Sequence, residues 1–209
     1  MRIRALAIAL LAASAAPLSG QDAAPPPGWV VRLDEPADGP PVELASMPPG
    51  WHLTATPAAI VYDPARVGRG AFRVEAELYR FPGGLESGFG LLLGGDDLAG
   101  PAPDYFAFLI DGAGRFELYH RAGDEIHPVS ERARHPAVVP WTEGTAKNVL
   151  VAEVRPDSVR FLVNGQEVAA FGRQPYMDFD GVVGLRVDGD VDLHVSRLDV
   201  TPLTEPEGD

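Results

Sequence analysis

The stretch from Asn148 to Phe171, NVLVAEVRPDSVRFLVNGQEVAAF, leaves few folds open. Val149 and Val151 alternate with Leu150, Ala152 and Val154; Val159, Phe161 and Val163 alternate with Arg160 and Leu162. That two-residue period belongs to extended chain with one face buried. Between the two runs stands Arg155-Pro156-Asp157-Ser158, where proline pre-sets φ and the Asp and Ser side chains bond nearby backbone. Asn164-Gly165 then supplies the two positive-φ positions of a type I′ turn, a strong hairpin signal. Three consecutive antiparallel strands follow from this pattern, and it carries no information about ligand or reaction.

The same texture extends over the chain. WVVRLDEP from Trp29 reads as a first strand and PVELA as a second, while Trp51–Thr54 and Ala59–Tyr62 read as short edge strands, closed by a turn at Asp63-Pro64. AFRVEAELYRF (71–81) alternates cleanly, with Phe72, Val74, Ala76 and Leu78 on one face and Arg73, Glu75, Glu77 and Tyr79 on the other. GFGLLL (88–93) and YFAFLID (105–111) follow, the latter apolar on both faces and therefore a central strand. Then comes RFELYHR (115–121), and GVVGLRV (181–187) with VDLHVSRLDV (191–200) reads as a closing hairpin around Asp188-Gly189-Asp190. Residues 122–145 carry less pattern and are expected to hold one or two short strands and loops. About a dozen strands and little or no helix predict an all-β, two-sheet antiparallel jelly-roll sandwich over residues 29–203. The chain of 209 residues has no cysteine, so no disulfide assists folding and stability must come from a large packed core.

Residues 1–20, MRIRALAIALLAASAAPLSG, have the basic start, apolar run and small-residue end of a secretory signal peptide. A Pro-rich linker (21–28) and a polar tail (204–209) flank the sandwich. The expected mature protein is exported to the periplasm or beyond, has no membrane span, and is a monomer. The net charge of −13 repels phosphate backbones, so nucleic acid is not an expected partner; otherwise the acidity serves solubility.

YFAFLIDGAGRFELYHR, a Trp-containing loop, NVLVAEVRPDSVRFLVNGQEV and GVVGLRVDGDVDLHVSRLDV, in that order, resemble the concanavalin A-like lectin/glucanase superfamily. Within it the likeness is to exported bacterial domains of the laminin-G-like and 3-keto-disaccharide-hydrolase-like groups, which share an FxVNGxxV strand followed by a GxVGLxV strand. The resemblance covers Trp51 to Leu203 and implies a fold rather than an activity. The ExDxxE run of the glucanase branch is absent, since Glu75-Ala76-Glu77 has neither the aspartate nor a third carboxylate. YFAFLID is apolar where the keto-disaccharide-hydrolase-like group carries arginine and glutamine.

Candidate sites are few. Glu75 and Glu77 lie about 6.5–7 Å apart along one strand face, a separation compatible with a glycosidase pair or with ordinary surface charges. Glu117, Tyr119 and Arg121, with Arg186 and His194, would share a face if their strands are neighbours. A carboxylate, an aromatic platform and a guanidinium there suit a sugar; the alternative is a solvated face of cross-strand ion pairs. Asp188, Asp190 and Asp192 offer oxygens at alternate positions, and the superfamily resemblance implies a calcium ion (Ca2+) at a sandwich rim; an Asp-rich turn capping its own backbone is the alternative. Asp96, Asp97 and Asp104 form a second, weaker set of the same kind. The five histidines show no zinc spacing, and Ser87 sits in no GxSxG elbow. Trp29, Trp51 and Trp141 are sugar platforms or core packing. Three functions are compatible with this: a non-catalytic module binding a carbohydrate or another extracellular ligand, a glycoside or keto-sugar hydrolase using Glu117 or Glu75 and Glu77, or a structural envelope protein.

Overall fold

The computed structural model describes residues 27–36 and 42–204; the expected signal peptide, most of the expected linker and the last five residues of the tail lie outside them. The described residues form fourteen strands and no helix. In chain order they are β1 (Val30–Leu33), β2 (Val42–Ser46), β3 (Trp51–Ala55), β4 (Ala58–Gly68), β5 (Phe72–Arg80), β6 (Phe89–Asp96) and β7 (Asp104–Ile110). There follow β8 (Arg115–Ala122), β9 (Glu125–Arg134), β10 (Ala146–Val154), β11 (Ser158–Val163), β12 (Gln166–Gly172), β13 (Gly181–Asp188) and β14 (Val191–Pro202). They build two seven-stranded antiparallel sheets, β1-β4-β13-β6-β7-β8-β9 (the first sheet) and β12-β11-β10-β5-β14-β3-β2 (the second).

The alternation read in the sequence sets the core. Phe72, Val74, Ala76 and Leu78 of the second sheet face Phe89, Leu91, Phe106 and Phe108 of the first in one apolar cluster, almost all of it removed from water. Phe108 and Phe161 meet edge-on across the sandwich at 5.1 Å. The meander forms as its sequence predicts. Arg155 N–H donates to the Ser158 carbonyl at 2.8 Å across the first turn, and Val163 pairs with Gln166 around Asn164 (φ 51°) and Gly165 (φ 79°).

Three expectations change. Asp63-Pro64 does not end a strand: Tyr62 pairs with Gly184 and Val67 with Val182 on the same neighbour, so residues 63–66 bulge out of a continuous β4. The turn chemistry is present, with Asp63 Oδ1 accepting from Ala65 N–H at 2.9 Å, and proline is tolerated where no ladder bond is made. Residues 51–54 and 59–62 are interior rather than edge strands, because β2 and β1 pair outside them. The closing hairpin is not a hairpin. β13 lies in the first sheet and β14 in the second, since Val183, Leu185 and Val187 enter the core from one side and Val191, Leu193 and Val195 from the other. Gly189, at φ 133°, turns the chain from one sheet to the other. The weakly patterned region contains one ten-residue strand, β9, on the edge of the first sheet and mostly exposed along both faces, which erases the alternation.

Candidate functional site

Alternation on β8 points Phe116 and Leu118 into the core and leaves Glu117, Tyr119 and Arg121 on the outer face of the first sheet. On β13 the same rule sends Arg186 and Asp188 to that face, and on β7 it sends Tyr105, Ala107 and Leu109. Arg186 lies opposite Ile60 on one side and Gly90 on the other, so one flank of the guanidinium's path is free of a side chain. Asp34, one residue past β1, closes over it.

The result is a chain of alternating charge. Arg186 Nη1 and Nη2 donate to the two oxygens of Asp34 at 2.6 and 2.7 Å, and Arg186 Nε donates to Asp188 Oδ1 at 2.7 Å. Arg121 Nη1 lies 2.8 Å from the Asp34 oxygen that Arg186 Nη2 also uses. Paired, two-pronged guanidinium–carboxylate contacts are the strongest class of side-chain hydrogen bond. Burial opposes the charge on Arg186, but its bond to Asp34 and the nearby Asp188 carboxylate hold its pKa above the ordinary arginine value. Burial also works against the Asp34 carboxylate, and Arg186 and then Arg121 outweigh it, holding the group ionised below the usual range. Burial pushes the Tyr105 and Tyr119 phenols up, so both stay protonated, and the Tyr119 hydroxyl points its proton at Asp188 Oδ1, 3.4 Å away. The Tyr105 hydroxyl is buried and meets no hydrogen-bond partner among the described residues. On the same face, Glu117 is bound by Arg132, which also donates to the Glu86 carbonyl at 2.9 Å.

Exposure divides these residues by role. The Arg186 side chain is 4% exposed and Tyr119 is 7% exposed, whereas the Asp34 and Asp188 side chains are each 23% exposed. Arg186 is therefore a positioning residue. Tyr119 is packed among Ile60, Tyr62, Leu92, Leu98 and Tyr105 and has no ring face free to stack on a sugar, which corrects its reading as an aromatic platform. The atoms a ligand can reach belong to Asp34, Arg121, Asp188, Glu117 and Arg132. Gly88 marks the close approach beside them: a Cβ there would stand 3.0 Å from Asp188 Oδ2.

Four of the five residues grouped from the sequence thus share one face. His194 does not, because β14 belongs to the other sheet; there it lies between His52 and Tyr79 in the strand register. Burial, then the neighbouring His52, lowers its pKa and keeps it neutral. Glu75 and Glu77 are on the outer face of the second sheet as well. Glu75 is bound by Arg73 and Arg197. Glu77 accepts from Lys147, Tyr79 and Ser196, each at 2.9 Å, and the Lys147 bond leads in lowering its pKa to about 2. A glycosidase acid must hold a proton near neutral pH, and Glu77 does not.

The three aspartates of the 188–192 turn diverge. Asp188 binds Arg186, Asp190 caps Gly84 N–H at 3.1 Å, and Asp192 lies 2.7 Å from His52 Nε2, so they do not converge on one ion. Asp97 caps its own loop at Ala102, and Asp104 pairs with His120 at 2.8 Å. No group of three or more His, Asp or Glu among the described residues is arranged to hold a metal ion. Trp51 is buried against Trp29 at 4.8 Å, and the Trp141 indole N–H donates to the Gly144 carbonyl at 2.8 Å. Asp34 and Arg132 carried no local signal, since Asp34 is 152 residues from its partner and Arg132 lies in the weakly patterned segment.

No protein-family model matches the chain, and no curated protein matches it. Solved structures do. The carbohydrate-binding module CBM66 from Bacillus subtilis superposes with a TM-score of 0.61 at 13% identity, over 83% of this chain and 95% of that one. The VIP36 exoplasmic/lumenal domain in its Ca2+-bound form gives 0.60 at 8% identity, over 87% and 86%. A glycoside hydrolase family 16 endo-glucanase from Bacteroides ovatus gives 0.59 at 11%, over 82% and 94%. At these identities the likeness is one of architecture: the chain has the concanavalin A-like jelly-roll fold.

Proposed function

We propose that this chain is an exported, non-catalytic carbohydrate-binding module, and that the saccharide seats on the outer face of the first sheet. The observation that carries the reading is the preassembled row Arg121–Asp34–Arg186–Asp188, whose outer members reach solvent. Vicinal hydroxyls of a sugar donate to carboxylate oxygens and accept from guanidinium N–H groups, and this row presents both at fixed positions with little ordering cost. Arginine has five N–H donors, and Arg121 uses one on Asp34 and one on the Gly123 carbonyl, which leaves donors for a ligand. The architecture shared with a carbohydrate-binding module adds support. A hydrolase has less: Glu75, Glu77 and Glu117 are each committed to a cation.

The test is a thermal-shift and calorimetry panel of neutral oligosaccharides on the full-length mature protein. A ligand at 100 times its Kd stabilises by about 2.7 kcal/mol. We expect at least one glycan to shift the transition, no release of reducing ends, and loss of the shift in Asp188→Asn. Glycan cleavage would overturn the reading, as would an unchanged shift in that variant. Export is tested by fractionation, where the secreted form should lack residues 1–20.

A further inference from the structure

A second concavity lies away from the charged row, where the two sheets part. The ends of β6, β7, β8 and β9 on one side and of β12 on the other leave a mouth crossed by the connector 173–180. Two cavities of about 360 and 530 Å³ meet there and share Phe106, His120 and Tyr176. One wall is apolar: Phe106 stacks on His120 at 4.5 Å with an 18° interplanar angle, beside Val129, Phe171 and Met177. The other wall carries Asp96, Asp104, Asp178 and Asp180, with no lysine or arginine among the residues lining either cavity. Tyr176 stands between them, 71% exposed, the most exposed large apolar side chain of the described residues.

The exposed ring of Tyr176 offers a face that a ligand can cover, and the residues beside it select which ligand. We propose that this mouth is a second saccharide seat, selective for a sugar unit bearing a protonated amine. The ring of a hexosamine lays its C–H face on Tyr176, and its ammonium and hydroxyls meet the aspartates. Several carboxylate oxygens remain open for it. Asp104 gives one to His120, Asp180 accepts from Gly70 N–H and Asp178 from Asp180 N–H, and the Asp96 side chain meets no partner among the described residues. The nearest guanidinium, Arg173, is 3.8 Å from Asp178 and already donates to the Arg155 and Met177 carbonyls. The four carboxylates stand too far apart to close on a metal ion, which suits an ammonium and hydroxyls distributed around a ring. A lysine side chain would want a narrow apolar slot ending in one carboxylate; this cleft is wide and its carboxylates are spread. An ammonium near a tyrosine face gains a cation–π contact besides the charge pairing.

The experiment titrates the full-length mature protein with glucosamine oligomers and with N-acetylglucosamine oligomers of equal length, at a pH where the free amine is protonated. The glucosamine series is expected to bind at least about tenfold more tightly, with Tyr176→Ala and Asp178→Asn each reducing that affinity by about tenfold. Both substitutions fall on exposed side chains and leave the core intact. Asp188→Asn, which disables the outer-face row, is expected to leave the preference for glucosamine over N-acetylglucosamine unchanged, so failure of one site is read separately from failure of the other. Equal binding of the two series overturns the proposal. So does absence of binding, or binding that survives Tyr176→Ala and Asp178→Asn but falls with Glu167→Gln at the opposite end of β12, the signature of general attraction to an acidic surface.

Discussion

Arg186 shows how much one buried charge can organise. Its three bonds join a residue after the first strand to the middle of the first sheet and to the turn that crosses between sheets. Removing one partner of a buried pair leaves the other uncompensated, at a cost of about 3–5 kcal/mol. Arg186→Met is accordingly expected to lower the urea midpoint by that equivalent, and Arg186→Lys to recover little of it, because an ammonium cannot span both Asp34 oxygens. Arg186→Met combined with Asp34→Leu should cost less than the sum of the two single changes. A wild-type midpoint in Arg186→Met would show the network to be ornamental. Alternation alone made part of this visible, since FELYHR and LRVD place Glu117, Tyr119, Arg121 and Arg186 on outward positions. Asp34 was invisible because the contact depends on how β1 registers with β4. The burial of Tyr119 was invisible for a related reason: Leu98, from a distant loop, packs into the same cluster.

At the scale of elements, the meander does more than supply strands. The Asn164 side chain accepts from Val149 N–H and donates to the Ala137 carbonyl and to Asn148 Oδ1, and Asn148 in turn bonds both Val139 N–H and the Val139 carbonyl. Two asparagines thereby pin the loop before β10 to the hairpin. Asn148→Ala leaves those buried groups unpaired and is expected to cost about 1–3 kcal/mol in thermal unfolding. Asn164→Gly keeps the positive φ and loses only the side-chain bonds, so it should also destabilise; a Tm equal to wild type would reduce Asn164 to a turn residue. The sequence reveals the turn because Asn-Gly is a local signal. The clamp escapes it, as residues 135–139 have no period. Element identity was likewise easier to read than partnership: GVVGLRV and VDLHVSRLDV are both strands, but which sheet each joins depends on which side of the core its valines enter, and that error placed His194 on the wrong face.

Across the whole molecule, the absence of disulfides leaves stability to the core and to paired charge, and paired charge depends on pH. Glu77 has a folded pKa of about 2 against an unfolded value of 4.5, so its contribution is complete above that unfolded value and is lost as pH falls towards about 2. Asp34, also depressed, acts in the same direction. Glu77→Gln should therefore flatten the acid limb of the stability curve over that window, measured by urea unfolding at successive pH values; a limb as steep as wild type would mean that Lys147, Tyr79 and Ser196 do not hold the carboxylate ionised. The account turns on where a neutral oligosaccharide sits. An NMR titration of the isotopically labelled protein measures this most directly. Shifts are predicted to gather at Asp34, Glu117, Arg121, Arg132 and Asp188 on the outer face of the first sheet. Shifts gathered instead at His52, Glu77, Tyr79 and His194 on the opposite sheet would contradict it.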